Sequence, residues 1–214
     1  MNVLYVDNMI LVAVKPENVP TQADATGDPS FLAQAKEYVK EKYGKTGNVY
    51  LGLVHRLDRP AGGVMVFARN SKAAKRLSDQ VRRHAFIKTY FAVVTADISK
   101  EGTLKDYLLK DRKSNTTSVV DKDTPGAKKA VLSYEVAAKK DGYTLLKINL
   151  ETGRPHQIRV QLANIGAPLL GDKRYGGRPY GHMCLWAGAL SIIHPVTKER
   201  MEFVAEIPAY FPVK

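Results

Sequence analysis

The stretch AVLSYEVAAKKDGYTLLKINL, Ala130–Leu150, decides the fold class. Both halves are rich in aliphatic, β-branched and aromatic residues, and Lys140-Asp141-Gly142 between them is turn chemistry. The segment therefore predicts two strands, Ala130–Ala138 and Tyr143–Leu150, joined as a tight antiparallel hairpin. Just upstream, Ile87–Thr95 is the most β-like run of the chain, and Thr103–Leu109 reads as a further strand. Val3–Val6 and Ile10–Lys15 flank the polar turn Asp7-Asn8, and Leu51–Val54 and Val64–Ala68 flank a loop. Leu185–Ile193 and Met201–Ala205 return to strand across His194-Pro195. Helices are fewer. Phe31, Leu32, Ala35, Tyr38, Val39 and Tyr43 share one helical face, opened by Asp28-Pro29-Ser30 and closed by Gly44. A second helix is expected from Ser71 to His84, with Asn70 or Ser71 as N-cap, and a short third over Pro155–Ile165, ended by Gly166. Consecutive strands with few helices predict an α+β domain with a largely antiparallel sheet. The polar segment Lys110–Lys129 reads either as a mobile RNA-facing loop or as an irregular hairpin.

The charge balance narrows the function. Thirty-three Lys and Arg against 21 Asp and Glu leave a formal charge of +12 in 214 residues. Such an excess attracts polyanions, and nucleic acid is the usual partner. A membrane surface fits less well, because no basic amphipathic helix with a large apolar face is present, nor an eighteen-residue apolar run. The one cysteine, Cys184, excludes an intrachain disulfide framework, and its apolar neighbours suggest a structural thiol. With no leader-like N-terminus, the expectation is a cytoplasmic protein.

Three constellations carry possible chemistry. His55-Arg56-Leu57-Asp58-Arg59-Pro60-Ala61-Gly62-Gly63 sets a carboxylate between two arginines, beside glycines that let backbone approach a ligand. The flanking cations favour an ionised Asp58, ready as nucleophile or base, and Arg56 and Arg59 are suited to phosphates. A salt-bridged turn explains the same residues. Glu151-Thr152-Gly153-Arg154-Pro155-His156-Gln157-Ile158-Arg159 crowds polar groups where a helix begins, which suits an anion, although ordinary capping competes. Gly171-Asp172-Lys173-Arg174-Tyr175-Gly176-Gly177 is a basic, glycine-rich loop with an aromatic, fit for a flipped nucleotide or for plain turn-making. Lys88-Thr89-Tyr90 by itself signals nothing.

In this order the stretches resemble the RluA-type RNA pseudouridine synthases, as do Lys15-Pro16 and Gly166-x-Pro168-x-x-Gly171-Asp172-x-x-Tyr175-Gly176. The resemblance spans nearly the whole chain. It implies a single catalytic domain over residues 1–214, a bent sheet flanked by helices and a central active-site cleft. It also implies that Asp58 is the catalytic aspartate, that Tyr90 packs beside the target base, and that Arg159 is the basic partner of Asp58. Arg56 would enter the RNA helix where the uridine has left. Arg59, Arg154, His156, Gln157, Lys173 and Arg174 are the further candidate RNA contacts. The resemblance implies structured ribosomal or transfer RNA as substrate and neither metal nor organic cofactor. The N-terminal S4 domain of many relatives is expected to be absent, the residues before Lys15 being too few to form one, and a monomer is the favoured state. At Pro60-Ala61-Gly62 the chain departs from the family's more polar pattern, which puts loop shape in doubt. The rivals are a noncatalytic RNA-binding module and a metal-dependent nuclease using His55, Asp58 and His156, where arginines crowd the proposed ligands.

Overall fold

A computed structural model describes residues 1–214. The chain divides into two compact units, Met1–Ile87 with Ala187–Ala205, and Lys88–Trp186 with Glu206–Lys214. Strands with few helices, in antiparallel ladders, make the fold α+β.

The first unit is built on β1 (Asn2–Val6), β2 (Ile10–Lys15), α1 (Phe31–Lys42), β3 (Gly52–Leu53), β4 (Gly62–Ala68) and α2 (Ser71–Arg82). Within this unit β1 pairs with β2, β2 with β4, and β3 with β4, all antiparallel. Every residue of β4 is buried, which explains its unbroken apolar run GGVMVFA. α1 seats Phe31 against Phe67 of β4, ring centroids 5.5 Å apart. Full burial of such a ring stabilises by roughly 1.5–3 kcal/mol. Both helix starts follow the sequence. Ser30 Oγ accepts the Ala33 N–H, and Asn70 Oδ1 accepts the Ala73 N–H. α2 stops at Arg82, two residues before the expected His84, which takes a positive φ of 56°.

The second unit holds β5 (Ile87–Val94, from Lys88 on), β6 (Glu101–Asp111), β7 (Thr116–Val120), β8 (Lys128–Lys140), β9 (Tyr143–Leu150) and α3 (Gln157–Asn164). Its sheet runs β5-β9-β8-β6-β7, antiparallel throughout. The deciding hairpin is present. Lys140 faces Tyr143 in register, and Asp141 and Gly142 both take positive φ, 51° and 78°, the signature of a type I′ turn. Of the two readings of Lys110–Lys129, the hairpin holds, since Thr116–Val120 pairs residue by residue with Tyr107–Asp111. Leu108, Ala130 and Val160 form a core cluster with Val119 and Tyr175 packed on it. The last strands are β10 (Leu185–Ile193), which belongs to the first unit from Ala187 onward, and β11 (Arg200–Val204), antiparallel to it.

Candidate functional site

In the first unit the loop between β3 and β4 presents Asp58, half-buried, and Arg56, exposed. The loop is held from both ends. His55 Nε2 accepts the Val66 N–H at 3.0 Å, so at least that ring nitrogen serves the backbone. The buried hydroxyl of Thr21 donates to Leu57 O at 2.8 Å and accepts the Leu57 N–H at 3.3 Å. Beyond Asp58, Lys15 Nζ donates to Arg59 O at 3.1 Å, and also to Pro16 O and Val19 O at 2.8 and 2.6 Å. The Ala61 N–H closes a turn onto Asp58 O at 3.1 Å. Gly63 follows at φ 124°, where a Cβ would lie 2.2 Å from Ala187 O, so β4 and β10 approach there only because a side chain is missing.

Arg59, expected at phosphate, is bound by acids of its own unit. Its guanidinium pairs with Asp28, lies 3.5 Å from Asp24 and donates to Thr26 Oγ1 at 2.9 Å. Those bonds hold the carboxyls of Asp28 and Asp24 below the usual range, the largest cause being the Arg59 hydrogen bond for Asp28 and the Thr26 hydroxyl for Asp24.

Lys15 is fully buried, 0% exposed. Desolvation, opposed by the charge of Asp58, lowers its pKa from 10.5 to about 8. The sign follows from linkage. The unfolded chain holds the proton up to pH 10.5, so burying the charged form costs stability below pH 8 and that cost is relieved as pH rises from 8 to 10.5. Against a Lys15→Met variant, the wild type gains about 3 kcal/mol across that window. Paired urea melts at pH 7 and pH 10 measure it; an unchanged difference contradicts the desolvated charge.

In the second unit Tyr90 lies on β5, 7% exposed, in register with Ile148 of β9. Lys88 is two residues before it, on the same face of the strand. Burial lowers the Lys88 ammonium below the ordinary lysine range, and Nζ lies against Gly153, 3.2 Å from where a Cβ would stand.

The segment after β9 is wired around Gln157. This side chain was expected to touch RNA, yet it is 3% exposed and bonded inside the protein. Its Oε1 accepts Thr152 Oγ1–H at 2.7 Å and the Arg154 N–H at 3.0 Å, while Nε2 donates to Val131 O and Gln161 Oε1. It pins the turn 152–154 to β8 and α3. The helix also starts later than read. His156 takes φ 54° with no side-chain cap, so Pro155 lies outside α3, and polar density here builds a turn instead of a first helical turn. His156 Nδ1 is 2.7 Å from Tyr175 Oη, which accepts the Thr117 N–H. Arg154 is half-buried and donates through Nε to Lys129 O.

Arg159 is 5% exposed and binds Asp172, 1% exposed, with Nε to Oδ2 at 2.7 Å and Nη2 to Oδ1 at 2.8 Å. This is a two-pronged ion pair, with the Tyr175 ring 5.0 Å from the guanidinium carbon. The sequence marks Asp172 only as part of the Gly171-Asp172 motif. Lys173 and Arg174 are exposed; Arg174 donates to the carbonyls of Ser114 and Asn115 in the β6–β7 turn. Gly171 takes φ 80°, and a Cβ there would meet His182 O at 1.9 Å.

No three His, Cys, Asp or Glu side chains gather as a metal-binding group, and no helix is long and apolar enough to cross a membrane.

The family model of the RNA pseudouridylate synthases matches residues 9–164. The chain is 34% identical to the uncharacterized RNA pseudouridine synthase YhcT of Bacillus subtilis, covering 98% of itself and 69% of that protein. It is 32% identical to ribosomal large subunit pseudouridine synthase D of Haemophilus influenzae, covering 99% and 68%. Among solved structures, human RNA pseudouridylate synthase domain containing 4 superposes with a TM-score of 0.80 over 98% of this chain and 90% of that one, at 22% identity, a likeness of fold.

Proposed function

Since the chain belongs to the RNA pseudouridylate synthase family and is an RNA-modifying isomerase, we propose that residues 1–214 act as one catalytic domain on selected uridines of structured RNA, with Asp58 as the catalytic carboxylate. Ribosomal RNA of the large subunit is the favoured substrate, in keeping with the relative named for it. Such a substrate implies cytoplasmic work, and a monomer suffices for it.

The reaction breaks N1–C1′, turns the uracil and forms C5–C1′; C5 loses a proton and N1 gains one, so no oxidant or cofactor is needed. A uridine in a stack must first be flipped out, at a cost of a few kcal/mol that phosphate contacts offset. Two routes are open to an ionised Asp58: attack at C1′, or assistance in removing a proton at C2′. Tyr90 would hold the uracil plane and move a proton late in the reaction. Arg159 is the cation of the reaction in this reading, two of its nitrogens already aligned by Asp172. One observation carries the assignment of Asp58. Its loop is clasped on both sides, by Thr21 at Leu57 and by Lys15 at Arg59, and the residue between those two grips is only half-buried.

RNA contact falls to Arg56, exposed next to the clasp, and to the exposed Lys173 and Arg174. Arg154 and His156 contribute from their half-buried turn, whereas Gln157 is assigned to shaping it. Arg56→Ala is expected to weaken RNA binding and to lower the slope of log Kd against log salt by about 1. A filter-binding salt series with an unchanged slope removes Arg56 from the phosphate contacts.

The test maps pseudouridine over total RNA from cells with and without the gene, rescued by wild type or by Asp58→Ala. Ribosomal sites lost and restored only by wild type support the whole reading. Sites in transfer RNA move the substrate. No change at all favours a noncatalytic RNA-binding role.

A further inference from the structure

The bonds around Asp58 trace back to one upstream segment. The first two N–H groups of α1, Phe31 and Leu32, have no partner within the helix and go to Pro20 O and Thr21 O at 2.8 and 3.1 Å. This ties the backbone at Thr21 to a helix whose Phe31, Ala35 and Val39 are in the core. From that anchored position the Thr21 hydroxyl takes both backbone groups of Leu57, donating to the carbonyl and accepting from the N–H. Leu57 is itself buried, so no water replaces the hydroxyl there. The carbonyl of Leu57 belongs to the peptide that carries Asp58, and that peptide sets the direction of the Asp58 Cα–Cβ bond. A rigid path thus runs from α1 through Thr21 to the orientation of one carboxylate.

We propose that Thr21 is a positioning residue for Asp58, its hydroxyl fixing the peptide from which the carboxylate projects. The inference rests on the reading of Asp58 as catalytic. Thr21 touches no substrate in it and acts through Leu57 alone. Thr21 meets the need with one side chain because a hydroxyl is donor and acceptor at once. Valine matches its shape and offers neither; serine offers both.

A displacement of about 1 Å at a reacting group costs roughly 100-fold in rate. Thr21→Val is therefore expected to lower single-turnover kcat by about 10- to 100-fold, with KM and RNA Kd near wild type. Thr21→Ser should restore kcat to within a few-fold. Each protein is assayed at a temperature where circular dichroism shows it fully folded, beside Asp58→Ala. If Asp58→Ala is inactive and Thr21→Val turns over at the wild-type rate, Thr21 does not position it. Loss of kcat and RNA binding together, not rescued by serine, likewise overturns the proposal in favour of a merely structural residue. An active Asp58→Ala removes the reading of Asp58 first, and the proposal with it. Should the valine protein fail to fold, Thr21→Cys takes its place. Its weakly donating thiol is expected to give a kcat between those of serine and valine, and a wild-type kcat in the folded cysteine protein overturns the proposal.

Discussion

Asp58→Ala is expected to lower pseudouridine formation by about 10⁴-fold while leaving RNA affinity close to wild type. The expectation follows from the step proposed for the carboxylate. A group that works only as the N1–C1′ bond breaks contributes to the transition state and little to the bound ground state, so its loss appears in kcat. The fold should tolerate the change. The bonds that shape the loop come from the Thr21 hydroxyl, the Lys15 ammonium and the backbone of Ala61, and all meet main-chain atoms that alanine keeps. Asp58→Asn separates charge from shape, since it keeps the volume and loses the anion; it should be as inactive as alanine. Single-turnover assays with a defined RNA, alongside filter binding, decide the matter. Turnover within ten-fold of wild type in either variant would remove Asp58 from the chemistry.

Asp172→Ala is expected to destabilise the second unit by about 3–5 kcal/mol, more than any surface substitution in this chain. Asp172 and Arg159 are both almost wholly buried and bonded at two points. Removing the acid takes away the partner that Nε and Nη2 of a buried guanidinium share, and the Arg174 N–H loses its acceptor as well. In a protein of this size that corresponds to a fall in Tm of about 10 °C. Arg159→Ala should cost a similar amount by stranding the carboxylate, and it should also abolish turnover if Arg159 serves the reaction. The pair differs from an apolar contact in a further respect. Replacing both partners together by Met and Leu is expected to recover much of the lost stability. A double-mutant cycle by thermal unfolding shows this as a large coupling, and additive losses would mean the two side chains act independently.

What could be read in advance was what local chemistry determines. The Asp141-Gly142 turn and its two strands were legible because a type I′ turn demands residues that accept positive φ, and because neighbouring strands share one composition. The starts of α1 and α2 were legible to within a residue or two because Ser and Asn side-chain oxygens bind N–H groups three residues on, as Ser30 and Asn70 do. The β6–β7 hairpin stayed ambiguous because an edge pair carries Lys, Asp, Ser and Thr on exposed positions, as a loop does. The start of α3 was misplaced because Pro155 is good N1 chemistry, whereas the backbone reverses at His156. Within the site, the Asp58 motif was visible and its supports were not. Nothing near Thr21 in the chain marks it, since its partner lies 36 residues away. Arg59 looked like a phosphate ligand because nothing local reveals that Asp24, Thr26 and Asp28 fold back on it. An Asp24-x-Thr26-x-Asp28 run, three oxygen-bearing side chains at even spacing, was the one available hint. Gln157 was misjudged for the opposite reason, being a polar residue in a polar motif whose amide turns inward.

The Lys15 ammonium, gripped by three carbonyl oxygens, does for the Asp58 loop what a bound potassium ion does in other proteins. The difference is that this cation is tethered to the chain. Its local concentration is fixed by covalent bonds, so dialysis and chelators do not deplete it and no competing ion displaces it. The Lys15 grip on the loop is consequently indifferent to the ionic conditions that govern how tightly the RNA is held.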